Sequence, residues 1–78
     1  MIRDVDIRAM EDIIVNHAGP VGTFVIKKAI ADLGGDTVNF NDEIKSKFIE
    51  MVLERSIFDD TKWNAIRKQI LEAWNHGA

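Results

Sequence analysis

The sequence predicts an all-α protein, a single domain over residues 1–78 with four short helices in a small irregular or up-down bundle. Apolar residues recur at three- and four-residue spacing through four successive stretches. The breaks between those stretches carry Gly, Asn or Asp, the residues that start and stop helices. The clearest stretch, GPVGTFVIKKAIADLGG over residues 19–35, has both signals, with Pro20 at its first helical position and Gly34 or Gly35 past its last apolar residue.

The first helix is expected over Val5–Asn16, with Asp4 as N-cap and an Asp4–Arg8 pair at i,i+4 spacing. Ile7, Met10, Ile13, Ile14 and His17 share its apolar face, while Arg8, Glu11 and Asp12 lie on the other. His17 is a polar ring on that apolar face. The expectation is a half-buried imidazole bonded to a helix-end carbonyl, the alternative a ligand or proton-transfer residue. Ala18 and Gly19 leave so short a connection that helices 1 and 2 must be neighbours.

Helix 2 places Gly22, Val25, Ile26, Ala29, Ile30 and Leu33 within an arc of roughly 140°. Its middle holds the smallest side chains, Gly22 and Ala29, so helix 2 is expected to be the element the others pack against. Val21 and Phe24 fall off this face; Phe24 either packs under the next loop or is a contact residue. Lys27 and Lys28 are read as solvated.

The following loop, GGDTVNFN, has the outline of a calcium loop but not its ligands. With Val38 at the apolar eighth position, positions one, three and five become Ala31, Leu33 and Gly35. Starting at Asp32 recovers Asp32, Asp36 and Glu43, but puts Thr37 where Gly is required. No metal is expected, and Val38 and Phe40 are read as anchors dipping into the core.

Helix 3 is expected over Asp42–Arg55, capped by Asn41 or Asn39. Ile44, Phe48, Met51 and Val52 form its face, and Ile49 and Leu53 widen the apolar arc to about 200°. It is either sandwiched between elements or keeps apolar surface for a partner. Helix 4 is expected to start at cap Asp59, with Phe58 stapled against Trp63, and to end at Gly77. Trp63, Ile66, Ile70, Ala73 and Trp74 make its core stripe, with Leu71 at the edge and Lys68 and Glu72 in solvent.

The totals narrow the function. A net charge of −3 with a pI near 5.2 argues against nucleic acid or an anionic membrane as the main partner. No apolar run is long enough to span a bilayer, and the acidic N-terminal stretch does not read as a secretory signal, so a cytoplasmic location is expected. Without cysteine there is no disulfide and no thiolate metal site. There is no Tyr, and Ser46 and Ser56 are the only serines. No nucleophile elbow, phosphate-binding loop, dinucleotide fingerprint or zinc-protease motif occurs. No enzyme, cofactor, catalytic residue or metal ligand is therefore expected. As a DNA reader, helices 2 and 3 would have too long a linker for a helix-turn-helix, and helix 3 sets Lys45, Lys47 and Arg55 against Glu43, Glu50 and Glu54.

The passage DIIVNHAGPVGTFVIKKAIADLG resembles a small helical domain of unknown function at the C-terminus of prokaryotic signalling proteins such as response regulators and serine/threonine kinases. That family carries an aromatic-x-Gly-Pro-[Ile/Val]-Ala signature before an alanine-rich helix. His17, Gly19, Pro20, Val21, Phe24 and Lys27 or Lys28 fall on the pattern, while Gly22 replaces its Ala and His17 its aromatic. The resemblance covers about a third of the chain and implies an accessory interaction module. The function expected is non-enzymatic protein–protein interaction or self-association, as a homodimer or through an apolar patch around Phe24, Ile49 and Leu53, in a signalling or regulatory complex. The alternative is a small DNA-associated transcriptional regulator.

Overall fold

A computed structural model describes residues 3–35 and 39–76 of the chain. Helix α1 spans Asp4–Ala18, α2 Val21–Asp32, α3 Asp42–Ser56 and α4 Trp63–His76, with a 3-10 turn at Asp60–Lys62 leading into α4. The protein is a small all-α bundle, with no strand among the described residues. The expected anchors and stops at Val38 and Gly77, and the loop positions Asp36 and Thr37, lie outside the described residues.

The N-terminus of α1 departs from the expected cap. Arg3, not Asp4, is the capping residue, and its carbonyl receives the Asp6 and Ile7 amides at 3.0 and 3.1 Å. The acid that matters there is Asp6. Its carboxylate is largely buried and accepts the Arg3 Nε and Nη2 donors, each at 3.1 Å, a two-pronged pair in place of the expected Asp4–Arg8 contact. At its other end α1 closes with the Gly19 amide donating to the Val15 carbonyl at 2.8 Å. Gly19 takes φ +84°, ψ −168°, a region open to glycine and closed to residues with a Cβ, and this lets α2 begin two residues later.

Helix α2 then crosses α1 at very close range. A Cβ built on Gly22 would lie 2.7 Å from Ile14 Cγ2 and 3.3 Å from the Val15 backbone nitrogen. Only glycine permits that approach, and Thr23 Oγ1 donates to Glu11 Oε1 at 2.9 Å beside it. The small face of α2 thus does what its composition implies. Its centrality is shared, however: α2 packs against α1 and α3, whereas α4 packs against α1.

Helix α3 starts as expected, with the Asn41 side chain accepting the Ile44 amide at 2.9 Å. Its wide apolar arc is consumed within the chain. Phe48 is met edge-on by Phe40 (5.5 Å, 79°) and stacked by Trp74 of α4 (6.3 Å, 11°). Ile49 and Leu53, expected to face a partner, are 2% and 0% exposed and belong to the core with Val52, Ile26 and Ile70. The reason is that α3 is covered by α2 and also turns side chains toward α4, so two neighbours share the arc that one could not cover. Arg67 of α4 adds a two-pronged bond to Glu50 of α3, its Nε donating at 2.8 Å.

The stripe of α4 is core as read: Ile66, Ile70 and Trp74 are buried, Trp63 and Ala73 half-buried, and Lys68 and Glu72 exposed. Each indole N–H has a partner, as buried tryptophans require. Trp74 donates to the Asp6 carbonyl at 2.9 Å and Trp63 to the Ile57 carbonyl at 2.8 Å.

Candidate functional site

One cleft of about 370 Å³ opens where the α1–α2 turn faces the end of α3 and the connector to α4. Its apolar wall is Ala18, Val21, Ile57 and Phe58. Its polar rim is His17, Arg55, Asp59 and Lys62, with Ser56 between the two.

The connector builds the cleft by turning one side chain in and the next out. Ile57 is 6% exposed; Phe58 is 93% exposed. This reverses the expected staple between Phe58 and Trp63. Asp59 does cap, but it caps a 3-10 turn: its Oδ1 accepts the Thr61 amide at 3.1 Å and the Thr61 hydroxyl at 2.6 Å. The tighter turn changes the phase of the chain entering α4, and Trp63 reaches back to the Ile57 carbonyl instead. Phe58 is left in solvent at the mouth of the cleft. The Thr61 bonds, hydroxyl first, hold the Asp59 carboxyl below the usual aspartate range, and the nearby Lys62 charge adds to the effect.

His17 is exposed, not half-buried, and makes no side-chain hydrogen bond among the described residues. The tight crossing of α1 and α2 is centred on Ile14 and Val15, so the last turn of α1 projects beyond the contact and carries His17 to the cleft rim. Ser56 is buried and its hydroxyl donates to the Val52 carbonyl at 2.5 Å, one turn back along α3. Arg55 is directed toward α2, where its Nη1 meets Asp32 Oδ2 at 2.8 Å; Lys28 meets the same carboxylate at 3.8 Å.

Of the three expected contact residues, only Phe24 stays outside the core, at 69% exposure. The described residues leave most of its ring uncovered. Val21, itself 51% exposed, lies three residues before it, so the two are neighbours on one stripe of α2 that continues to Lys28. The stripe begins at the cleft wall. Among the described residues, Val21, Phe24 and Phe58 are three of the five large apolar residues left exposed, the others being Val5 and Leu71.

Composition does mark Val21 and Phe24 as lying off the core face, but not that they continue into a cleft. Phe58 and Lys62 escaped the sequence reading because their positions depend on the 3-10 turn. The one local signal for it is the Asp59-x-Thr61 spacing, which suits a side-chain turn over an immediate α-helix. The chain matches no family model, no curated protein and no solved structure, and the resemblance around Gly19-Pro20 rests on those residues alone.

Proposed function

We propose that this protein is a non-enzymatic interaction module that docks a protein partner across the cleft and the adjoining stripe of α2. The observation that carries the reading is that exposed Val21 and Phe58 line one opening, with exposed Phe24 one turn further along the same stripe of α2 as Val21. An aromatic ring 93% exposed contributes nothing to its own fold, and burying it in a partner recovers the apolar transfer energy it forgoes.

The area that the domain exposes supports docking onto a compact monomer. Its accessible surface is 5018 Å². A folded monomer of this mass is expected to expose about 4,800 Å². Docking onto a finished domain therefore fits better than an obligate homodimer whose core is shared. Weak self-association through the same surface belongs to the same reading.

A non-enzymatic role is supported by the state of the cleft's polar groups. The Ser56 hydroxyl is committed to Val52, Asp59 to Thr61, and neither bonds His17. That is not the linked nucleophile and base that covalent catalysis uses. A cytoplasmic setting and an accessory place in a signalling or regulatory complex complete the proposal. Cysteine-free composition supports the first, as does the absence among the described residues of any helix long and apolar enough to cross a membrane. The resemblance around Gly19-Pro20 supports the second.

Photo-crosslinking tests the reading. A benzoylphenylalanine placed at Phe58 or Phe24 in the source cell should capture a discrete protein, this chain included. The same group at Leu71, an exposed apolar position on α4 that does not line the cleft, should not. Equal capture at all three positions, or at none, would overturn it.

A further inference from the structure

We infer, resting on that docking reading, that the cleft recognises an acidic, apolar-containing segment of its partner, seating an apolar side chain against Val21, Ile57 and Phe58 and a neighbouring carboxylate against Lys62. The rim pairs one carboxylate with two cations. Its one carboxylate, Asp59, accepts both Thr61 donors on Oδ1 and keeps its negative charge close to Lys62. Lys62, on the same rim, forms no ion pair among the described residues and keeps its ammonium donors. Arg55 spends Nη1 on Asp32, but a guanidinium carries five N–H donors in all.

His17 adds an exposed imidazole, whose ring N–H is a further donor. So the cleft and the stripe set three cations, Lys28, Arg55 and Lys62, against two carboxylates, Asp32 and Asp59, and Lys62 keeps donors to give. This occurs in a chain whose net charge is −3, where the average surface would favour a basic partner. The local charge complements an acid.

The size of the opening and its continuation along α2 select a segment over a folded element. About 370 Å³ lies at the low end of small-ligand sites, which run from ~300 to ~1,000 Å³, and holds a side chain or two. A chain leaving the cleft along α2 would pass two apolar contacts, Val21 and Phe24, and then Lys28, which shares Asp32 with Arg55. An acidic segment with interspersed apolar residues has the matching pattern.

The experiment titrates the full-length, ¹⁵N-labelled protein with three synthetic peptides of equal length, in which Leu and Phe alternate with Glu, with Gln or with Lys. The Glu peptide should shift the amides of Ala18, Val21, Ile57 and Lys62 and bind most tightly. Lys62→Gln should weaken it by about threefold to fivefold, the worth of one exposed ion pair, while leaving the Gln peptide unchanged. The thermal midpoint of Lys62→Gln should match the parent. Equal binding of the Glu and Gln peptides at these residues would overturn the acidic preference and leave the docking reading standing. Tighter binding of the Lys peptide would overturn it, as would the absence of shifts at these residues with every peptide. Concentration-dependent shifts of the same amides in the free protein would also overturn it, by naming a second copy as the occupant.

Discussion

Replacing Gly22 tests the closest contact in the fold. A Cβ there would sit 2.7 Å from Ile14 Cγ2, where carbon atoms prefer about 3.5–4.0 Å, so something must retreat by roughly 1 Å. Ile14 cannot swing aside easily: it is fully buried, and β-branched side chains in helices are held to one χ1 well. The neighbouring atoms at 3.3 and 3.4 Å are backbone of α1 and yield less still. Overpacking costs about 1–3 kcal/mol. Glycine to alanine in a helix returns up to about 1 kcal/mol. Gly22→Ala should therefore lose about 0–2 kcal/mol, and Gly22→Leu about 2–3 or more, since its extra atoms meet the same wall.

Lys27→Leu, on the exposed side of the same helix, should stay within about 0.5 kcal/mol. In a domain of this size each kcal/mol moves the thermal midpoint by about 4–8 °C, so urea and thermal melts resolve the three variants. A double-mutant cycle isolates the contact. Ile14→Ala alone should cost about 2–5 kcal/mol. Combined with Gly22→Ala it should cost less than the sum by at least about 0.5 kcal/mol, because the new methyl occupies space the isoleucine vacated. Additive losses, or equal midpoints for Gly22→Leu and Lys27→Leu, would refute the reasoning.

The other expectations concern the connector. Ile57→Ala should destabilise by about 2–5 kcal/mol, whereas Phe58→Ser should leave the urea midpoint within about 0.5 kcal/mol of the parent; the reverse order would restore the staple. The Asp59 carboxyl should titrate below the model-peptide value of about 3.9 when followed by ¹³C chemical shift. Because its folded value is depressed, the stabilisation it gives the 3-10 turn is present above the unfolded value and lost as pH falls through the folded one. Thr61→Val should move the titration back up, and an unchanged value would show that the hydroxyl is not its cause.

What could be read in advance, and what could not, divides along a physical line. Several features set by residues within one helical turn are legible in the sequence: Asn41 as cap, the face through Gly22 and Ala29, and Phe40 as an anchor. The first cap is not, since Arg3 stands where Asp4 is expected. Ile49 and Leu53 could not be assigned from periodicity, because an arc of about 200° says how much surface needs covering but not how many neighbours cover it. The structure supplies two, α2 and α4. His17 was misplaced because the helical projection extends past the point where α2 leaves α1. Of the candidate site, Phe24 was legible as a misfit on its own helix. Phe58 was not, since a 3-10 turn of three residues shifts the register of everything before α4 and leaves no apolar pattern to betray it.

The hydrogen bond from Trp74 to the Asp6 carbonyl spans 68 residues, against 12 for the Thr23–Glu11 bond that joins α1 to α2. Closing a loop costs about (3/2)RT ln n, so the longer closure is harder by about 1.5 kcal/mol when nothing else is yet formed. That difference sets an order of assembly. The α1–α2 pair can form early from near neighbours, and once α3 has folded back on α2 the remaining search for α4 is much shorter than the bare sequence separation implies. The last helix is then the natural first to leave, and amide exchange should reach the global limit in α1 and α2 while α4 opens at lower cost. Uniform protection across all four helices would mean instead that the bundle closes and opens in one step.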